Sequence, residues 1–305
     1  MNAAYTKYST VFALIFLMLV ILLSGCLTVK QNGKSSSNSN QLSFLDSVIK
    51  KGSKERKIFE GAQSVLSGLR GVDYETERTI GETFAMKGFK RYGLPVENSE
   101  LQEYVNLVGT AVARNSLRPT ISYDFVVVDS SLKNAFSCPG GIIFINRGPL
   151  DLLENEAQLA NILAHEVSHV QHKHALKSIR RARFLQGVGE ITAATMEGDK
   201  GDQFESMLGD LQTVLFDKGL DKGMEYEADK SGMEIAYRTG YDPSGMIEVL
   251  QSLKKARSQS KEKGSWFSTH PPLPERIDRC RSTLSGLSDW QGLARLQGRF
   301  RNSVN

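Results

Sequence analysis

The sequence predicts an α+β fold, mostly helical, with one small β-sheet. Three observations predict it. Apolar residues recur at helical spacing through long stretches of the chain. Short continuous apolar runs suited to buried strands gather between about residues 122 and 146. Directly after them comes a capped segment that carries two histidines four positions apart, His165 and His169. At 305 residues, 40% hydrophobic and 24% charged, the chain is long and apolar enough to bury a sizeable core. The formal charge of +4 is mild, and no dense basic patch interleaved with aromatics occurs, so no nucleic-acid partner is expected.

The elements follow in order. Val11 to Leu23 is an uninterrupted apolar run of thirteen residues, preceded by a single charged side chain, Lys7. It is short for a bilayer span and fits the apolar core of a signal peptide. It ends in Leu23-Ser24-Gly25-Cys26, which resembles the lipobox of bacterial lipoproteins. The resemblance implies cleavage before Cys26 and attachment of acyl chains such as palmitate to that residue. Leu27 stands where Asp is the usual inner-membrane retention signal, which points to the periplasmic face of a bacterial outer membrane. Residues 27–43 are rich in Ser, Asn, Gln, Gly and Lys and read as a flexible tether. Residues 44–70 are mixed and helical in pattern. Helices are expected from Tyr74 to Arg91 and from Leu101 to Asn115.

The β section holds Phe125-Val126-Val127-Val128, then Asn134 to Cys138, then Ile142 to Ile145. Pro139-Gly140-Gly141 suits a tight reversal between the last two strands. In the helix that follows, Asn155 is the N-cap and Gln158 completes a capping box, while Leu159, Ile162, Leu163, Val167 and Val170 form an apolar face. After His174 the chain is basic and then Gly-rich to about residue 222, either a mobile helical lid or a solvated surface. Glu225 to Thr239 is a helix stopped by Gly240. Asp242-Pro243 opens another, to about Arg257, and a last one begins after His270-Pro271-Pro272. Cys138 and Cys280 are either a disulfide, which an exported compartment permits, or two buried thiols.

Four of the five histidines fall within ten residues: His165, His169, His172 and His174. His165-Glu166-Val167-Ser168-His169 is an HExxH motif. Residues i and i+4 share a helix face, so two imidazoles can hold one zinc ion beside the intervening glutamate, the geometry of a zinc hydrolase. Glu166 would then activate water. His172 lies about 4.5 Å further along the axis than His169, too far to join the same ion, and His174 points to the opposite side of the helix. Both read as surface residues. A metzincin motif is excluded, because it needs Gly and His where His172 and Ala175 stand. Glu225 and Asp229 share a face, with Glu227 about 200° away. Spacing alone leaves open whether Glu225 is the third ligand with Asp229 behind a histidine, or whether both belong to a solvated acidic face.

The combination HEVSH, Glu225-Tyr226-Glu227-Ala228-Asp229, and Thr269-His270-Pro271-Pro272 with Arg276-Ile277 resembles the HtpX and CAAX-prenyl-endopeptidase family of gluzincin metallopeptidases. The lipobox and lack of membrane spans are similar to its periplasmic BepA/LoiP-like lipoprotein branch. The resemblance covers roughly residues 75–285. It implies a zincin-like fold whose edge strand lines the active-site cleft, one Zn2+ per chain, and Glu225 as third ligand with Asp229 behind the ligand shell. Asn134-Ala135-Phe136 is similar to the substrate-binding edge strand of thermolysin-like enzymes and would take extended peptide. His270 would assist the oxyanion, or approach the metal and block it, and Arg276 would brace that loop or pair with an acidic neighbour.

The expected layout is a signal peptide at 1–25, a lipidated tether at 26–44, a zinc metallopeptidase domain at 45–288 and a tail at 289–305. The tetratricopeptide domain of BepA-type relatives is absent. The expected activity is zinc-dependent cleavage of exposed or misfolded envelope proteins in quality control. A chaperone-like assembly factor that binds polypeptide at the edge strand is the alternative.

Overall fold

The computed structural model describes residues 72–185, 206, 208–259, 270 and 273–304, all within one unit, Asn40–Asn305. Cys26, the apolar leader and residues 44–70 lie outside them. Helix α1, Tyr74–Tyr92, opens on Asp73, whose side chain accepts from Thr76 N–H. Helix α2, Ser99–Ala113, opens on Asn98 in the same way. Strands β1 (Asp124–Val128), β2 (Ala135–Ser137) and β3 (Ile142–Asn146) form one sheet in the order β1-β3-β2. β3 is central, parallel to β1 and antiparallel to β2. A short helix α3, Arg147–Leu150, leads to the motif helix α4, Glu156–Gln171, and then to α5, His174–Leu185. A π-helical turn at Thr213–Lys218 precedes α6, Lys222–Thr239, α7, Gly245–Gln259, and α8, Leu273–Ser285. The last helix is α9, Gln297–Val304.

Both faces of the sheet are covered, which is why its strands read as unbroken apolar runs. Phe125 and Val127 turn to one face, among Val105 and Val108 of α2 and Leu159 and Leu163 of α4. Val126 and Val128 turn to the other, among Phe84 and Phe89 of α1 and Phe216. On that second face Phe136 stacks on Phe144 with ring centres 4.7 Å apart. The β2–β3 reversal needs its glycines. Gly140 has φ of 75°, and a Cβ there would lie 2.4 Å from the Arg78 Cα, so the turn seats directly on α1.

The first residues of α4 are fixed by the C-terminal segment. Glu156 is buried and accepts from Tyr104 Oη at 3.0 Å and Tyr241 Oη at 2.6 Å, and it pairs with Arg299 of α9. Burial raises its carboxyl pKa, but the bonds from Arg299, Tyr241 and Tyr104 outweigh burial and leave it below the usual value. Phe300 packs into the same core. Arg299→Ala is expected to cost about 1–3 kcal/mol, towards the lower end because the guanidinium is half-exposed. A lowered carboxyl contributes stability above its unfolded pKa and loses it as pH falls through the folded one. The difference between wild type and variant in chemical denaturation should therefore shrink below about pH 4.3.

Candidate metal centre

Asn155 Oδ1 accepts from Gln158 N–H at 3.1 Å, and every residue from Glu156 to Gln171 is buried. Helix α4 therefore runs through the protein interior and carries His165, Glu166 and His169 with it. Helix α6 crosses it closely because position 232 is glycine: a Cβ there would lie 2.9 Å from His165 N. Glu225, Asp229 and Gly232 are i, i+4 and i+7 on one face of α6. The close crossing thus delivers both carboxylates to the histidines.

His165 Nε2 and His169 Nε2 face each other at 3.0 Å. Glu225 lies 3.7 Å from the first and 3.5 Å from the second. The ligand atoms of His165, His169, Glu225 and His270 all fall within 4.8 Å of one another, and all four residues are buried. His270 Nε2 is 3.7 Å from Glu166 Oε1. Spacing left Glu225 open between ligand and solvated acid; it is fully enclosed.

Arg276 is the hub behind these groups. It is wholly buried, donates to both oxygens of Asp229 at 2.7 and 2.6 Å, and holds the His270 carbonyl at 2.8 Å. Its Nη1 also lies 3.1 Å from Glu225 Oε2. Asp229 Oδ1 is 3.0 Å from His165 Nδ1. Burial raises the Asp229 carboxyl, but Arg276 and His165 outweigh it and hold it below its ordinary value. An ionised Asp229 accepts the Nδ1 proton of His165 and leaves the Nε2 lone pair for a metal.

The donor set fits a zinc ion. Burial lowers the pKa of His165, against the pull of Asp229, and depresses that of His169 strongly, helped by neighbouring imidazoles. Both shifts favour the neutral ring that a metal ligand must present. Burial pushes the Glu225 carboxyl well up despite Arg276, and neither of its oxygens accepts a hydrogen bond among the described residues. Two ring nitrogens and one enclosed carboxylate converging on a point is an arrangement that a metal cation stabilises.

The remaining expected residues divide. Phe136 lines a small cavity with Glu166, His169, Leu215, Leu220 and His270. Edge strand β2 therefore borders the cleft. Asn134 instead turns inward, donating to Tyr92 Oη at 3.1 Å, and Ala135 is buried opposite Ile145. Leu208, Leu211 and Phe216 are buried rather than solvated, and Leu215 and Leu220 line the cavity beside His169 and His270, so the described end of the 175–222 span borders the site. Cys138 and Cys280 are free, buried thiols, and burial raises both pKa values.

One expectation fails. His174 is not a surface residue but completely buried. The helix does not continue past His172: Lys173 takes φ of 54° and α5 starts afresh at His174. That break turns the imidazole back beneath His169, with the two Nδ1 atoms 2.8 Å apart. Burial, against the pull of Glu227, holds the His174 pKa down at about 4. A helical wheel drawn through residue 174 places this side chain wrongly; the only local signal was the HisLysHis sequence itself.

Residues 98–284, more than half of the chain, match Peptidase family M48. Among curated relatives, the chain is 27% identical to the "Beta-barrel assembly-enhancing protease" of Yersinia pestis over 60% of its own length and 38% of that protein's. It is 26% identical to the "Metalloprotease YcaL" of Escherichia coli, over 53% of this chain and 62% of the relative. With the mitochondrial "Metalloendopeptidase OMA1" of Bos taurus it shares 30% identity over 52% of this chain and 32% of the relative. The chain thus spans under half the length of the first of these.

Proposed function

Since the chain belongs to peptidase family M48, we propose that it is a zinc-dependent metalloendopeptidase held on the periplasmic face of a bacterial outer membrane through lipid on Cys26. The observation that carries the catalytic reading is the enclosed convergence of His165, His169 and Glu225 beside Glu166. When bound, zinc supplies Lewis acidity that polarises a peptide carbonyl and makes water more acidic.

The chain's own residues do the rest. His165, His169 and Glu225 bind the ion. Asp229 fixes the tautomer of His165, and Arg276 keeps Asp229 ionised. Glu166 takes the proton from the attacking water and returns it to the leaving amine. Strand β2 offers an edge along the cleft on which an extended peptide adds by backbone hydrogen bonds, with Phe136 beside the reacting carbonyl. His270, almost wholly buried and within reach of the ligand atoms, stands where it can donate a hydrogen bond to the oxyanion or approach the metal.

The names of the relatives and the Leu23-Ser24-Gly25-Cys26 signal support exposed or misassembled envelope proteins as substrates. A casein-type assay on the full chain in detergent tests the activity. Chelation is expected to stop cleavage and added zinc to restore it; cleavage indifferent to chelator refutes the reading. The chaperone-like alternative makes a different demand, that Glu166→Gln restores envelope function to cells lacking the protein.

A further inference from the structure

The zinc centre as described gives His165 a partner behind its ring, and leaves two nearby groups without a part. Behind His169 lies His174, with Nδ1 facing Nδ1 at 2.8 Å, and behind His174 lies Glu227, with Oε2 at 3.0 Å from His174 Nε2. The protons in this row are determined from its outer end. A carboxylate only accepts, so the hydrogen in the outer bond sits on His174 Nε2. A neutral imidazole has one N–H, so His174 Nδ1 presents a lone pair. The hydrogen of the inner bond therefore sits on His169 Nδ1. His169 Nε2 is left with its lone pair, and it is this atom that meets His165 Nε2 at 3.0 Å.

We propose that Glu227 and His174 form a positioning relay that sets the tautomer and ring orientation of His169 for metal binding, the counterpart of Asp229 behind His165. The two arms differ in depth: Asp229 is buried, whereas the Glu227 side chain is 48% exposed and also lies 3.4 Å from His172 Nδ1. One histidine is oriented by a carboxylate directly and from the interior. The other is oriented by a carboxylate at the surface, through an intervening imidazole that the break at Lys173 places there. Outer partners of ligand histidines are worth about 10–100-fold in metal affinity.

This inference rests on the reading of the site as a zinc centre, and the experiment separates the two. Zinc affinity is measured by chelator competition on the full chain and three variants. His174→Leu keeps volume and removes the acceptor. His174→Asn keeps an oxygen near the Nδ1 position. Glu227→Ala changes only a half-exposed side chain. His174→Leu is expected to weaken zinc binding about 10–100-fold while His174→Asn stays within about threefold of wild type. Equal affinity in His174→Leu and wild type overturns the relay, and so does an equal loss in the leucine and asparagine variants, which would mark a packing role. Should His174→Leu fail to fold, Glu227→Ala decides: weaker binding supports the relay and unchanged binding overturns it. If wild-type protein takes up no zinc, the zinc-centre reading itself falls, and the relay with it. If wild type binds zinc and cleaves while the leucine variant binds equally well, the relay alone falls.

Discussion

Replacing Glu166 with Gln is expected to lower kcat for cleavage of an unfolded protein by about 10^2–10^4-fold while leaving zinc bound. The two side chains are nearly the same size, and Glu166 is fully enclosed, so packing is preserved. What disappears is the basic oxygen that accepts the water's proton and later protonates the amine. Metal binding is expected to persist because Glu166 is not among the converging ligand atoms, which belong to His165, His169, Glu225 and His270. Cleavage rate and zinc content measured on the same preparation check both halves. Cleavage at the wild-type rate would remove Glu166 from the chemistry, and loss of zinc would make it a ligand.

Arg276→Met carries the largest expected loss of stability. The wild-type guanidinium is wholly buried and makes a paired bond to Asp229, a bond to the His270 carbonyl and an ion pair with Glu225. Methionine fills much of the volume and satisfies none of these. A buried carboxylate stripped of its cation costs about 3–5 kcal/mol, which should appear as a lower midpoint in chemical denaturation. Lysine is not expected to rescue it, since a single ammonium cannot make the paired bond. The sign of the pH dependence follows from Asp229, whose carboxyl is held low. The wild-type advantage is full above the pKa of an unfolded aspartate, about 3.9, and fades as pH falls through the folded value. A loss under about 1 kcal/mol would mean that the site relaxes around the missing charge.

Local signals in the sequence mark most of what positions this site. Helices α1, α2, α4 and α6 were readable from apolar spacing and from caps such as Asn155, and the three strands from their unbroken apolar runs. What was not readable depends on contacts far apart in sequence. The parallel pairing of β1 with β3 and the central place of β3 rest on hydrogen bonding between strands separated in sequence, which no window of residues reports. The docking of Phe300 and Arg299 onto the start of α4 joins residues more than a hundred positions apart. His174 shows the limit most sharply. Its position depends on one left-handed residue, Lys173, and a non-glycine gives no warning of that conformation. Glu225 was placed on one face with Asp229 by its spacing, but only the crossing at Gly232 encloses it beside the histidines rather than leaving it in solvent.

The central claim is that two histidines and an enclosed glutamate hold one zinc ion. Zinc per chain, measured on purified wild-type protein and on Glu225→Gln after identical dialysis, tests it most directly. The expected result is one zinc per wild-type chain and a large loss in Glu225→Gln. Full occupancy in that variant, or none in the wild type, would contradict the account.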